Sequence, residues 1–153
     1  MNFKTFFHYI SYLQYPLMLV GLYFAFEPYL QGIDRLIESP ELLFQSINSA
    51  LIFMGLGISF SSLQDTTKTQ NEFSKKVWES PRKGKIMISL MSLMILFLLI
   101  FGLTGYYSVE KGILKDLSLG FIVLGLGMFG FLKAAFEMFE NHRKDKNIGA
   151  NNV

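Results

Sequence analysis

The chain has 153 residues, 51% of them hydrophobic and 16 of them Phe, with a formal charge of +2 and no cysteine. A soluble domain of this size leaves too much surface in water to hide that much apolar area, which excludes an ordinary soluble fold. The missing cysteine excludes disulfides, thiol catalysis and thiolate metal sites; two histidines at opposite ends, His8 and His142, offer no metal-ligand spacing.

Taken in order, the chain holds four apolar stretches, each close to the roughly 20 residues that cross a bilayer. The first runs from about Tyr12 to Tyr29. Lys4 before it gives the look of a signal peptide, but no small-x-small cleavage site follows Phe26-Glu27-Pro28, so an uncleaved span is expected. Pro16 either opens its first turn or kinks a helix that starts near Phe3. From Pro28 to Glu41, Tyr29, Leu30, Ile33, Leu36 and Ile37 recur at helical spacing; a short amphipathic surface helix and an ordinary loop both fit.

The second span, about Leu42 to Leu63, is the most polar. Gln45, Asn48, Gly55, Ser59 and Ser62 form a stripe along it, with Ile52 in line. An amide in hydrocarbon must find a partner. The stripe is therefore expected to make interhelical hydrogen bonds, the alternative being the polar lining of a pore in an oligomer. The connection Gln64 to Lys85 follows, and Ser80-Pro81 breaks any helix in it. Phe73, Val77 and Trp78 are candidates for one side of a short interfacial helix. Lys75, Lys76, Arg82 and Lys83 would then lie toward lipid phosphates. A docking surface for a soluble partner and a plain solvated loop are the other readings.

The third span, Ile86 to Tyr107, is the most hydrophobic. A short bend, Ser108 to Asp116, leads to the fourth, Leu117 to about Phe139. On one face of the fourth, Gly120, Gly127, Gly130 and Ala134 recur at helical spacing, with Val123 between them. Small residues let another helix approach closely, here expected to be one of the same chain. Gly125-x-Gly127-x-x-Gly130 matches a dinucleotide fingerprint by letter only, since that motif needs a preceding strand and an accessible helix start. From Asn141 a polar, disordered tail is expected, so residues 1–140 form one transmembrane domain and 141–153 its tail.

Charge orients the spans. Eleven basic residues fall at the N-terminus, the 64–85 connection and the C-terminal end, against three (Arg35, Lys111, Lys115) on the other side. The positive-inside rule puts both termini in the cytoplasm. Tyr29, Tyr106 and Tyr107 at one boundary, and Tyr9, Tyr12 and Trp78 at the other, suit the two interfacial levels. A basic surface beside a membrane reads as topology and anionic-lipid contact rather than nucleic-acid binding.

An internal echo is visible. Val20-Gly21-Leu22 resembles Phe101-Gly102-Leu103, and Gly55-Leu56-Gly57 resembles Gly125-Leu126-Gly127. It suggests two tandem hairpins in parallel repeat, the alternative being the shared vocabulary of membrane helices. No ionisable residue lies near the middle of any span, which argues against proton-coupled transport and voltage sensing. No catalytic set or cofactor motif is present, so no enzyme is expected.

The sequence thus predicts an all-α integral membrane protein of four helices, with the bilayer and either a homo-oligomer or another membrane protein as partner. An accessory or scaffold subunit is the first expectation, and a homo-oligomeric channel or small-molecule transporter lined by the second span is the alternative. The compact, loop-poor design suits a bacterial inner membrane.

Overall fold

The computed structural model describes residues 3–32, 37–67 and 72–147, and among them every regular element is a helix. Four helical stretches are long and apolar enough to cross a membrane: Thr5–Leu30, Pro40–Ser61, Pro81–Ser108 and Ile113–His142. Three of them extend at both ends past the apolar stretch that announces them, while the second starts two residues before Leu42 and ends two before Leu63.

The first stretch comprises α1 (Phe3–Ser11) and α2 (Gln14–Leu30). Pro16 explains the break between them. It has no N–H to give the Tyr12 carbonyl four residues back. Tyr15 N–H takes that carbonyl instead, at 3.1 Å, and tightens the turn. The surface helix expected over Pro28 to Glu41 falls partly on residues 33–36, outside the described residues; Tyr29, Leu30 and Ile37 beside them are exposed.

Helix α3 (Pro40–Ser61) opens with proline in its first turn, where a missing N–H costs nothing. Helix α4 (Glu72–Glu79) lies in the basic connection, of which residues 68–71 are outside the described set. Ser80 then caps α5 (Pro81–Ser108) by accepting from Lys83 N–H, so this helix starts five residues before the predicted Ile86. Gly112, at φ +121°, makes the sharp turn into α6 (Ile113–His142), a conformation glycine alone adopts cheaply.

The expected disordered tail differs from what is found between 141 and 147. Helix α6 continues to His142 and a further turn, α7 (Lys144–Asn147), follows. Ion pairs hold it: Lys144 to Glu79 at 2.8 Å, Lys146 to Glu140 at 2.7 Å and Arg143 to Glu140 at 3.1 Å. Polarity alone suggested disorder, whereas complementary charge on α4 and α6 gives these residues partners. Residues 148–153 lie outside the described set.

In space α3 and α6 form the centre. Helix α2 packs on α3, α5 packs on α6, and no comparable contact joins α2 to α5. Helix α4 folds back on α5 and α6 at the end that also carries α1 and α7. One core cluster there contains Trp78, Ile88, Met91, Ala135 and Phe139; a second, at mid-height, contains Ile95, Leu98 and Met128. The outward faces are apolar, with Leu19, Tyr23 and Phe26 of α2 and Leu90, Leu93 and Phe97 of α5 all exposed. Such faces suit hydrocarbon or another membrane protein, not water.

Candidate functional site: the central seam and the cleft beside it

The two stripes read from the sequence meet each other. Asn48 Oδ1 accepts the backbone N–H of Gly120 at 2.8 Å. A Cβ at Gly120 would also fall 2.9 Å from the Leu51 side chain. At Gly55 a Cβ would lie 2.8 Å from the backbone of Val123 and Leu124. Gly127 sits directly on the Gly55 carbonyl, with Ser59 Oγ beside it, and Gly130 faces Ser62. Six of the predicted residues on the two helices, Gly55, Ser59, Ser62, Gly120, Gly127 and Gly130, are thus small enough to bring backbones together, and the one amide at the contact, Asn48, serves a backbone donor. Ser62 Oγ, placed between the helices, donates to its own helix at the Ser59 carbonyl, 2.7 Å away.

Two stripe residues lie off this contact. Gln45 is exposed and borders a shallow cleft with Glu41, Phe44 and Asp116 at the far end from α4. Ala134 is buried, beyond the seam, on the wall of a larger cavity.

The contacts follow a regular register. Gly55 and Val123, Ser59 and Gly127, and Ser62 and Gly130 are each 68 positions apart, so α3 and α6 run side by side in the same direction at matching heights. The flanking helices dock in like manner. Gly21 of α2 meets the Met54 side chain, Met54 N and the Ala50 carbonyl; Gly102 of α5 meets the Ile122 side chain, Ile122 N and the Ser118 carbonyl. Gly57 meets the Met18 side chain, and Gly125 meets the Leu99 side chain. Counterparts are 81 positions apart on α2 and α5 and 68 on α3 and α6. The contacts therefore match Gly57 with Gly125, two residues away from the sequence echo, which aligned Gly55 with Gly125. Letter similarity inside Gly-Leu-Gly runs slides easily by two, while contacts do not.

Beside the seam, at the α4 end, a cavity of about 400 Å³ opens among α2, α3, α4, α5 and α6. Its walls include Met18, Ile58, Met87, Phe131 and Trp78. Gln14, 9% exposed, also lines it, and its Nε2 is buried without a hydrogen-bond partner. The sequence reading passed over Gln14 because it stands at the edge of an apolar run, beside the tyrosines; its one signal was an amide directly before Tyr15-Pro16.

The basic connection holds a correction. Trp78, expected among the lipid contacts, is only 7% exposed and packs on Ile88, Met91, Ala135 and Phe139. Its Nε1 donates to Ser74 Oγ at 2.9 Å, so the indole's polar edge needs no water. Gly84 makes room by letting the Phe139 ring lie on the α5 backbone. Lys75, Lys76, Arg82 and Lys83 are exposed, with Lys75 3.9 Å from Glu79; the side chain of Phe73 lies outside the described set. The hydrogen bond from Lys144 holds the Glu79 carboxyl below the usual glutamate range, against a smaller cost of desolvation, and the charges of Lys144, Lys75 and His142 add to the lowering.

Among the described residues no group of three or more His, Cys, Asp or Glu could hold a metal ion. In comparison with known proteins, no family model matches this chain, and no curated protein or solved structure matches it.

Proposed function

We propose that this is an accessory or scaffold subunit of a membrane assembly, built from two related hairpins about a rigid centre. The observation that carries it is the contact of the α3 polar stripe with α6 inside one chain. Polarity in a membrane helix goes to whatever that helix must bind. Here the amide and the small residues are engaged by α6, and what remains for neighbours is the apolar outer surface of α2 and α5. A channel lined by the stripe would require Asn48, Ser59 and Ser62 to leave those contacts.

The matching contacts of the α2–α3 and α5–α6 hairpins support a parallel repeat about an axis along the membrane normal. We place both ends of the chain, with α4, on the cytoplasmic side, and assign the bacterial inner membrane as host. Two features support that orientation. The basic residues gather at one end. Phe3 and Thr5 border the same cleft as Glu137, while Lys144 pairs with Glu79.

The test is gentle extraction into nanodiscs at native expression level, followed by mass analysis. A distinct membrane protein in fixed stoichiometry is the expected result. A homo-oligomer without another protein, conducting in liposomes, would overturn the proposal.

A further inference from the structure

The close contacts put the helices on one scale of height. Residues of α3 lie level with those 68 positions later on α6. Helix α5 runs antiparallel to α6, with Gly105 beside Ser118, Gly102 beside Ile122 and Gly84 beside Phe139. On that scale the two hairpins are out of step. The apolar stretch of α3, 42–63, covers the levels of 110–131 on α6, while that of α5, 86–107, covers about 117–138. The two share about 22 Å of rise, less than the roughly 30 Å of a hydrocarbon core. Tilting the molecule does not bring them into step. A step of about 10 Å between neighbouring axes roughly 8–10 Å apart calls for a tilt of about 45°, far beyond the average of roughly 20°.

The mismatch is concentrated below the end of α3. That helix stops at Ser61, and Ser62, beside Gly130, is level with Leu93 and Met94 of α5, about 11 Å inside Ile86. From Ser62 and Leu63 a cleft of about 660 Å³ runs toward the end of the molecule that carries α4, past Thr66, Thr67, Lys133 and Glu137. Lys133 and Glu137 form an ion pair at 3.2 Å, and Thr66 Oγ1 donates to Glu137 at 3.3 Å. Thr5 and His8 of α1 border the same cleft.

The same heights carry opposite chemistry on the two sides of the molecule. Lys133 is level with Leu90 and Met91, and Glu137 with Ile86 and Met87. There α5 turns Ile86, Leu90 and Leu93 outward, each more than half exposed, as lipid requires. The Lys133 and Glu137 side chains are 79% and 46% exposed, and hydrocarbon does not accept open charges on those terms. Water on the cleft side reconciles the two faces. We propose that this cleft is a water-filled vestibule, a solvent site that carries the aqueous boundary about 11 Å into one leaflet and ends on the seam at Ser62. It does not depend on which partner the protein has.

The test places one cysteine at a time in the full chain, which has none of its own. Leu63→Cys puts it at the inner limit of the cleft, Leu93→Cys on the outer face of α5 at nearly the same height, and Thr67→Cys at the mouth. Each variant, in phosphatidylcholine nanodiscs that leave both faces of the bilayer open, is treated with a small charged methanethiosulfonate and followed by intact mass. Unchanged Trp78 emission reports that the fold is kept; should Leu63→Cys lose it, Ser62→Cys takes its place. Leu63→Cys should react within about tenfold of Thr67→Cys, and Leu93→Cys about a hundredfold more slowly, because the reacting thiolate is a charge and hydrocarbon opposes it. A Leu63→Cys as slow as Leu93→Cys would show a dry cleft and overturn the proposal. A Leu93→Cys as fast as Leu63→Cys would also overturn it, by showing that this height is aqueous all round.

Discussion

Asn48 on α3 gives its side-chain oxygen to the backbone N–H of Gly120 on α6, 2.8 Å away. The bond exists because Gly120 has no side chain to hold the helices apart. It joins the most polar residue of the second span to the small-residue face of the fourth. Asn48→Ala should therefore destabilise the protein by about 1 kcal/mol, the usual worth of such a bond in a membrane protein. Asn48→Leu should cost more, since a branched side chain has no room at Gly120. Gln45→Leu, on the exposed end of the stripe, should cost little. Equilibrium unfolding in mixed micelles measures all three. Liposome flux should stay at background for each, and a conductance changed by Asn48→Leu at unchanged stability would contradict this assignment.

Close backbone approach makes a second, sharper prediction. A methyl group at Gly127 would collide with the Gly55 carbonyl, which is backbone and cannot rotate aside. Gly127→Ala should destabilise by about 1–3 kcal/mol, the cost of overpacking a filled interface. Leu126→Ala, one residue away and 58% exposed, is the control and should be nearly neutral in micelles. Equal effects of the two would mean that α3 and α6 do not meet as described.

Trp78 is the single tryptophan, so its fluorescence reports on one place. A side chain enclosed by Ile88, Met91, Ala135 and Phe139 should emit to the blue and resist iodide. It should also resist lipids brominated near the headgroup. Strong quenching by those lipids would return it to the interfacial position that its amphipathic ring first suggests.

The tie between Lys144 and Glu79 is predicted to respond to acid. The Glu79 carboxyl is held below its ordinary range, chiefly by the Lys144 hydrogen bond. A depressed carboxylate contributes its stabilisation above the unfolded-state value and loses it as pH falls through the folded value. The α7 turn should therefore stay docked at neutral pH and loosen only below the usual glutamate range. Proteolysis after Lys146, followed by mass spectrometry with an acid-tolerant protease as comparison, reads this out. Glu79→Gln should expose the site at neutral pH. Unchanged protection in that variant would show that the ion pair does not hold the turn.

Much of this architecture was readable from residues alone, for definite reasons. Hydrocarbon thickness sets the length of an apolar run, so the four spans announce themselves. The stripes Asn48-Gly55-Ser59-Ser62 and Gly120-Gly127-Gly130 stand out because small and polar residues are rare on helix faces that meet lipid. Which stripe meets which is a property of three dimensions, and no spacing encodes it. Trp78 was misplaced for a related reason. Amphipathic rings favour the interface, but Ser74, one turn before it, and Gly84, on the next helix, together offered a better-packed alternative. Gln14 stayed hidden because it stands at the edge of an apolar run, and only the folded helices show its amide buried on a cavity wall.

The most direct test of the central claim, that α3 and α6 close their seam within one chain, is a disulfide across Ser62 and Gly130. The native chain has no cysteine to interfere. A Cβ at Gly130 would meet only Ser62, with Cβ atoms 3.2 Å apart, close to the roughly 3.5–4.5 Å of natural disulfides. Ser62→Cys/Gly130→Cys, oxidised in liposomes and resolved on a non-reducing gel, should give a monomer whose thiols resist alkylation until reduced. Crosslinked dimers, with the monomer's thiols still free, would show that the seam joins separate chains and would contradict the account.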